Sequence, residues 1–391
     1  MQRIEGDSES HSAEDSQIPS HISGPVDVAT QGRFARFDSW LPTMPWWILS
    51  TALLAVALFK SGIDLEVAAQ TPDPAFPLPQ TDASDALSYG LPTVVWLLGI
   101  QGQSTLIGIV TFVFILVGYF ASAFLISRTF TGSVQSIGLI ALGLGPTITV
   151  LLGNIGRHDF LVIFGAVIVG LRGYRWWGMT FGSLLMFLGN PEQSVVALLV
   201  LVLLGLATRF RPYLAKASVS TLIVFTCFAG LQIWANSLGA DGRADWLGYH
   251  LNASVLNFFG NAYLSIFAGY SVMWILVMWT LVRSQGRDRI LLILALIVIP
   301  FAVTMITADQ TRVFVGVSTA ALFALIRTDL QDFTQQLRSI TPHPAAWAFV
   351  AGAFTPVLEI TYRGFQRIPL QWLYDAFVNA GLIERLGIGP W

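Results

Sequence analysis

Three ionisable side chains stand in a row at Arg157-His158-Asp159, just after Asn154-Ile155-Gly156. They separate two strongly apolar runs, 137–153 and 160–171. Charges at the ends of membrane-length apolar runs are costly unless they reach the interface or line a polar cavity. A second group of this kind is Asp309-Gln310-Thr311-Arg312, and a third is Asn190-Pro191-Glu192-Gln193. Asp64 and Glu66 follow the first apolar run. The chemistry open to these residues is that of an anionic substrate. An arginine fork matches phosphate bidentately. A carboxylate in reach of a hydroxyl can act as a general base, and a histidine titrates near neutrality. Each group also has a plain structural reading. Arg157, His158, Asp159 and Glu192 could be loop charges at a thinned membrane edge. Asp309 and Arg312 could satisfy each other across one helical turn, and Asp64 and Glu66 could be solvated loop acids.

These groups need a scaffold, and the composition defines it. The chain is 54% hydrophobic and only 11% charged, with a mean hydropathy of +0.66. A soluble domain carries about 25% charged residues. Phe and Trp are abundant, as where rings fill helix interfaces and headgroup belts. The net charge of −2 matters less than its distribution, because basic residues are sorted by loop. The single cysteine, Cys227, allows neither a disulfide framework nor a cysteine-based metal site within one chain.

The pattern predicts an all-α, polytopic integral membrane protein of about 10–11 transmembrane helices with an outward-facing polar cavity. Residues 1–43 read as a disordered, cytoplasmic tail, 44–362 as the transmembrane domain and 363–391 as a short amphipathic segment. The first apolar run begins near Pro45, so no cleavable signal peptide is expected. Spans are predicted at about 44–59, 104–126, 134–152, 160–171, 176–188, 194–208, 217–235, 258–282, 290–307 and 313–326. A further apolar run at 345–360 is interrupted by Pro356 and Glu359 and is left open as an eleventh. An apolar stretch at 83–100 suits an interfacial helix. Arginines collect at alternate loops, which predicts a cytoplasmic amino terminus for a chain expected in the plasma membrane. Acidic or mixed clusters fall on the opposite side.

Three consecutive spans, 160–171, 176–188 and 194–208, hold roughly 12–15 residues each, or about 20 Å of helix against a hydrocarbon core of about 30 Å. Trp and Arg pin their inner ends. The shortfall should appear at the outer ends, sinking Arg157, His158, Asp159, Asn190 and Glu192 into a wet pocket. Gly178-x-x-x-Gly182 points to close helix packing. No nucleotide-binding loop, zinc-protease helix or nucleophile elbow is present, no metal or other cofactor is implied, and no basic patch with interleaved aromatics suggests nucleic acid.

With its many spans, an acidic first outer loop bearing Asp64 and Glu66, and the stretches Gly156-Arg157-His158-Asp159 and Asp309-x-x-Arg312, the chain resembles bacterial multispanning polysaccharide polymerases and the C-superfamily of membrane glycosyltransferases. That resemblance implies an envelope-polysaccharide glycosyltransferase or polymerase acting on a polyprenyl-phosphate-linked sugar at the outer face. Arg157 and Arg312 would hold the phosphate. Asp159, Asp64, Glu66 or His158 would take the acceptor proton, while Glu192 and Asp309 would contact the sugar or pair with an arginine. The chain lacks a clear Asp-x-Asp in the first loop and a large soluble carboxy-terminal domain, two departures from the C-superfamily pattern. A transporter or flippase for an anionic lipid-linked or small solute would use the same arginines. It is the alternative expectation.

Overall fold

The computed structural model describes residues 28–63, 88–239, 243–307, 309–361 and 364–367. In chain order the helices are α1 (Val28–Trp40), α2 (Trp46–Ser61), α3 (Gly90–Leu97), α4 (Ser104–Ser127), α5 (Gly132–Leu144), α6 (Pro146–Leu152), α7 (Asp159–Arg172), α8 (Trp176–Gly189) and α9 (Pro191–Leu206). There follow α10 (Arg211–Ser237), α11 (Arg243–Gly260), α12 (Ala262–Tyr270), α13 (Trp274–Arg283), α14 (Gly286–Ile293), α15 (Ile299–Met305), α16 (Gln310–Ile340) and α17 (Pro344–Phe354). A short antiparallel hairpin, β1 (Glu359–Thr361) and β2 (Gly364–Arg367), follows α17.

Among the described residues, six helical stretches, Ser104–Ser127, Gly132–Leu152, Thr208–Ser237, Ala262–Arg283, Gly286–Met305 and Gln310–Ile340, are long and apolar enough to cross a membrane. The protein is an all-α polytopic membrane protein. Large apolar side chains such as Ile109, Val117, Leu222, Ile233 and Val282 point outward from the bundle, the arrangement lipid requires. The shorter helices α7 and α8 have 14 residues each and α9 has 16. They are the undersized trio anticipated from the apolar run lengths.

The core is built on α7, α9 and α16, which pack against one another. Every side chain of α16 from Val313 to Ile326 is buried. Close approach depends on small residues. A Cβ on Gly165 of α7 would lie 2.6 Å from the Gly182 carbonyl oxygen of α8, and a Cβ on Gly182 would lie equally close to the Gly165 oxygen. The second glycine of the Gly178-x-x-x-Gly182 pattern therefore sits at a helix contact. With no water in the bilayer core, backbone carbonyls freed by irregularities must find partners inside the protein. Pro300 has no N–H for the Leu296 carbonyl one turn back, and the helix widens into a π-turn over Leu294–Val298. The fully buried Tyr270 hydroxyl donates to that carbonyl at 2.8 Å.

Several expectations change. Residues 28–40, assigned by composition to the tail, form α1. Phe34 and Phe37 pack edge-on against Trp347 and Phe349 of α17, and the Ala346 N–H donates to Asp38 Oδ1 at 2.8 Å. The aromatic spacing, diluted by the polar residues before it, supplied that docking face. The third span is broken: Gly145 is extended, with ψ 179°, and Pro146 starts α6. The eighth is broken at Ser271, with φ +51°. The 345–360 run stops as a helix at Phe354, before Pro356, and continues into β1. Of the segment 83–100, residues Gly90–Leu97 form α3, with Leu91 and Val95 buried and Trp96 and Leu97 exposed. Of 363–391, only β2 lies within the described residues.

Candidate functional site

Asn154-Ile155-Gly156-Arg157-His158 forms the turn between α6 and α7. Asn154 ends α6 by donating its side-chain amide to the Val150 carbonyl at 2.9 Å. Gly156 then takes φ +94°, a conformation that side chains disfavour. The turn is buried apart from the half-buried Arg157. Non-helical backbone at such depth is tolerated only inside protein or at a cavity. This geometry delivers Asp159 into the first turn of α7, where the helix dipole favours an acid.

The α8–α9 corner meets the same place. A Cβ on Gly189 would lie 2.9 Å from Leu161 Cβ and from the Val162 nitrogen, so α9 starts beside the start of α7. Asn190 caps α9, its Oδ1 accepting from the Gln193 N–H at 3.0 Å, and Glu192 stands in that first turn. The buried Gln193 side chain lies against Gly316 of α16. Thus the amino termini of α7, α9 and α16 converge at one end of the bundle.

Four charged groups join there. Arg312 reaches Asp309 Oδ2 from Nη2 at 2.5 Å and Asp159 Oδ2 from Nη1 at 3.5 Å. Arg157 Nη1 lies 3.7 Å from the same Asp309 Oδ2. Exposure grades across the group, from 32% for the Arg157 side chain and 25% for Asp309 to 14% for Arg312 and 3% for Asp159. Two cations and two anions give no formal net charge. Arg312 sits in the first turn of α16, where the dipole disfavours a cation, and the flanking acids offset this. His158 is buried beside them, its Nε2 3.5 Å from Ser88 Oγ.

Of the sequence-predicted residues, Arg157, Asp159, Asp309 and Arg312 come together in direct ion pairs. His158, just before α7, and Glu192, on the first turn of α9, flank them. Asp64 and Glu66 lie outside the described residues. The expected one-turn pair of Asp309 and Arg312 forms, but it is part of a larger network. Run lengths and charges alone did not reveal how this end is fastened. Gln310 donates from Nε2 to the Ser254 carbonyl at 3.0 Å and accepts from Ser265 Oγ at 3.2 Å. Thr311 Oγ1 accepts from the Ile360 N–H at 2.9 Å, tying β1 to the start of α16. The Asn190-Pro191 pair was a readable helix-start signal for α9. The partners of Gln310 and Thr311 had no local signal.

Several cavities lined by described residues lie away from this group. Among them are a polar cleft of about 530 Å³ at the arginine-rich end, beside Arg209, Asp288 and Asp329, and an apolar groove of about 260 Å³ between α5, α13, α16 and α17. Compared with protein-family models, curated proteins and solved structures, the chain has no significant match.

Proposed function

We propose that the protein is a membrane glycosyltransferase or polymerase of envelope polysaccharide, taking a polyprenyl-phosphate-linked sugar at the end of the bundle where Arg157, Asp159, Asp309 and Arg312 meet. The observation that carries this reading is the placement of one Asp309 carboxylate oxygen against the guanidinium groups of both Arg157 and Arg312. That is where a phosphate oxygen would be held, and Asp309 occupies it as an internal substitute. The lipid tail stays in the bilayer, and the phosphate displaces Asp309 from the two forks. Asp159 Oδ2 already accepts no hydrogen bond, and as Arg312 shifts toward the phosphate that oxygen is left to the acceptor hydroxyl. The acceptor hydroxyl oxygen bonds to the anomeric carbon, its proton passes to Asp159, and the sugar–phosphate bond breaks. Arg157 and Arg312 stabilise the charge left on the lipid phosphate. The concentration of arginines at the opposite end supports reading this site as the outer one of a plasma-membrane protein.

The test is complementation of a strain lacking the gene with Asp159→Asn and Arg157→Ala chains, followed by measurement of surface glycan length. Shortened or absent polymer from folded, membrane-inserted variants is expected. Polymer of normal length from both would remove the assignment.

A transporter of an anionic lipid-linked or small solute is the second reading. It is favoured by two broken helices that meet: a Cβ on Gly145, at the α5–α6 break, would lie 3.7 Å from Met273 Cγ, beside the break at Ser271. Interrupted helices at a common level are the transporter pattern. Cysteines placed at Val167 or Leu199 in a Cys227→Ser background separate the two. Labelling from the arginine-rich side during turnover supports transport, and protection supports the enzyme.

A further inference from the structure

The opposite ends of α7 and α16 carry a second charge cluster of different character. It lies about 20 Å of helix from Asp159 and Arg312. Arg172 donates from Nη1 to the Tyr174 hydroxyl at 3.3 Å and from Nη2 to the Leu125 carbonyl at 3.5 Å. Arg175 and Arg327 each hold their guanidinium carbon 5.4 Å from the Tyr174 ring centroid. Lys216 Nζ lies 5.6 Å from the neighbouring Trp176 ring.

Three guanidinium groups around one phenol repel one another unless an anion joins them. Among the described residues, no carboxylate pairs with Arg172, Arg175 or Arg327. The nearby acids are engaged elsewhere. Asp329 accepts from Arg209 at 3.0 Å and Thr280 at 3.1 Å, and Asp332 accepts from Arg283 at 2.9 Å. Asp288 accepts from the Thr208 N–H at 3.1 Å. The Nε groups of Arg172 and Arg327 are buried without an acceptor, and buried unpaired donors are costly. Burial alone would raise the Tyr174 phenol, but hydrogen bonds from Arg172 and Arg327 and the charges of Arg172 and Arg175 outweigh it and lower the pKa. Trp176 and Trp177 are about half exposed on the adjoining turn of α8. Exposed tryptophans beside arginines mark headgroup level.

We propose that Arg172, Arg175 and Arg327, gathered around Tyr174, bind the phosphate of an anionic phospholipid headgroup where α7 turns into α8. The arginine forks match phosphate oxygens bidentately, the tryptophans border the glycerol region, and the acyl chains lie along the apolar outer face of α8. This site stands whatever the other end of the bundle does.

The test uses the purified full chain in a neutral detergent, with thermal unfolding followed while phosphatidylglycerol, phosphatidylcholine or inorganic phosphate is titrated. Phosphatidylglycerol is expected to stabilise the protein saturably, and the other two are not. Arg175→Gln, at an exposed position, should raise the half-saturating lipid concentration about five-fold, and the Arg172→Gln/Arg175→Gln/Arg327→Gln triple variant about a hundred-fold. Arg338→Gln changes a basic residue bonded instead to Ser133 Oγ, and it should leave the curve unchanged. If the triple variant does not fold, Arg175→Gln alone decides. An unshifted Arg175→Gln curve, equal stabilisation by phosphatidylcholine, or equal stabilisation by inorganic phosphate at matched concentration overturns the proposal.

Discussion

Replacing Arg312 with Gln should be far more damaging than replacing Arg157 with Gln, although both arginines contact the same Asp309 oxygen. The difference lies in what each leaves behind. Among the described residues Arg312 is the cation paired with Asp159, whose side chain is 3% exposed, through an ion contact at 3.5 Å that makes no hydrogen bond. Removing it strands a buried carboxylate, a change that costs about 3–5 kcal/mol. The Arg157 side chain is 32% exposed and, among the described residues, pairs with Asp309, itself 25% exposed. Water and salt screen that pair, and its loss should cost less than about 1 kcal/mol. Asp159→Asn in the Arg312→Gln background removes the stranded charge and should recover about 2 kcal/mol, since residues in direct contact couple strongly. The assay is unfolding of the four chains in one detergent, with midpoints compared at two salt concentrations. Only the Arg157→Gln effect should shrink as salt rises. Equal losses from the two arginine variants, or an additive double variant, would show that Asp159 does not depend on Arg312 and refute the reasoning.

Tyr270→Phe should destabilise the protein by about 1–3 kcal/mol in the same assay, because the Leu296 carbonyl that Pro300 cannot pair would lose its hydroxyl donor. Gly182→Val should abolish stable folding, since a Cβ there meets the Gly165 carbonyl 2.6 Å away and α7 and α8 cannot separate without opening the core. Monodisperse elution of that variant at the wild-type volume, with a wild-type midpoint, would contradict the packing. Asp38→Ala should loosen α1 from α17 by about 1 kcal/mol through loss of the cap on the Ala346 N–H, seen as faster proteolysis near Arg33 and Arg36.

The membrane class and most of the helix positions were legible in the linear chain because the bilayer imposes a one-dimensional rule. A helix must be apolar over a set length, and its ends must be polar. Apolar runs bounded by Arg128 and Arg283 match helical stretches long enough to cross a membrane, and those bounded by Arg172 and Arg209 match the shorter helices α7 and α9. The undersized 160–171 run appears as the 14-residue α7. Local pairing was also legible: Asp309 and Arg312 are one turn apart on any helix, and they do pair. The partnership of Arg312 with Asp159, and of Arg157 with Asp309, was not. Those residues stand at the starts of helices about 150 residues apart in the chain, and side-by-side packing of α7 and α16 brings their amino termini to one level. Composition likewise hid α1, whose docking face exists only opposite α17. The chain alone determined that charges would stand at helix ends, because hydrocarbon excludes them from elsewhere. Tertiary packing decided which ends meet: it gathered two acids with two arginines at one end, and at the other left three arginines around a tyrosine with no acid between them among the described residues.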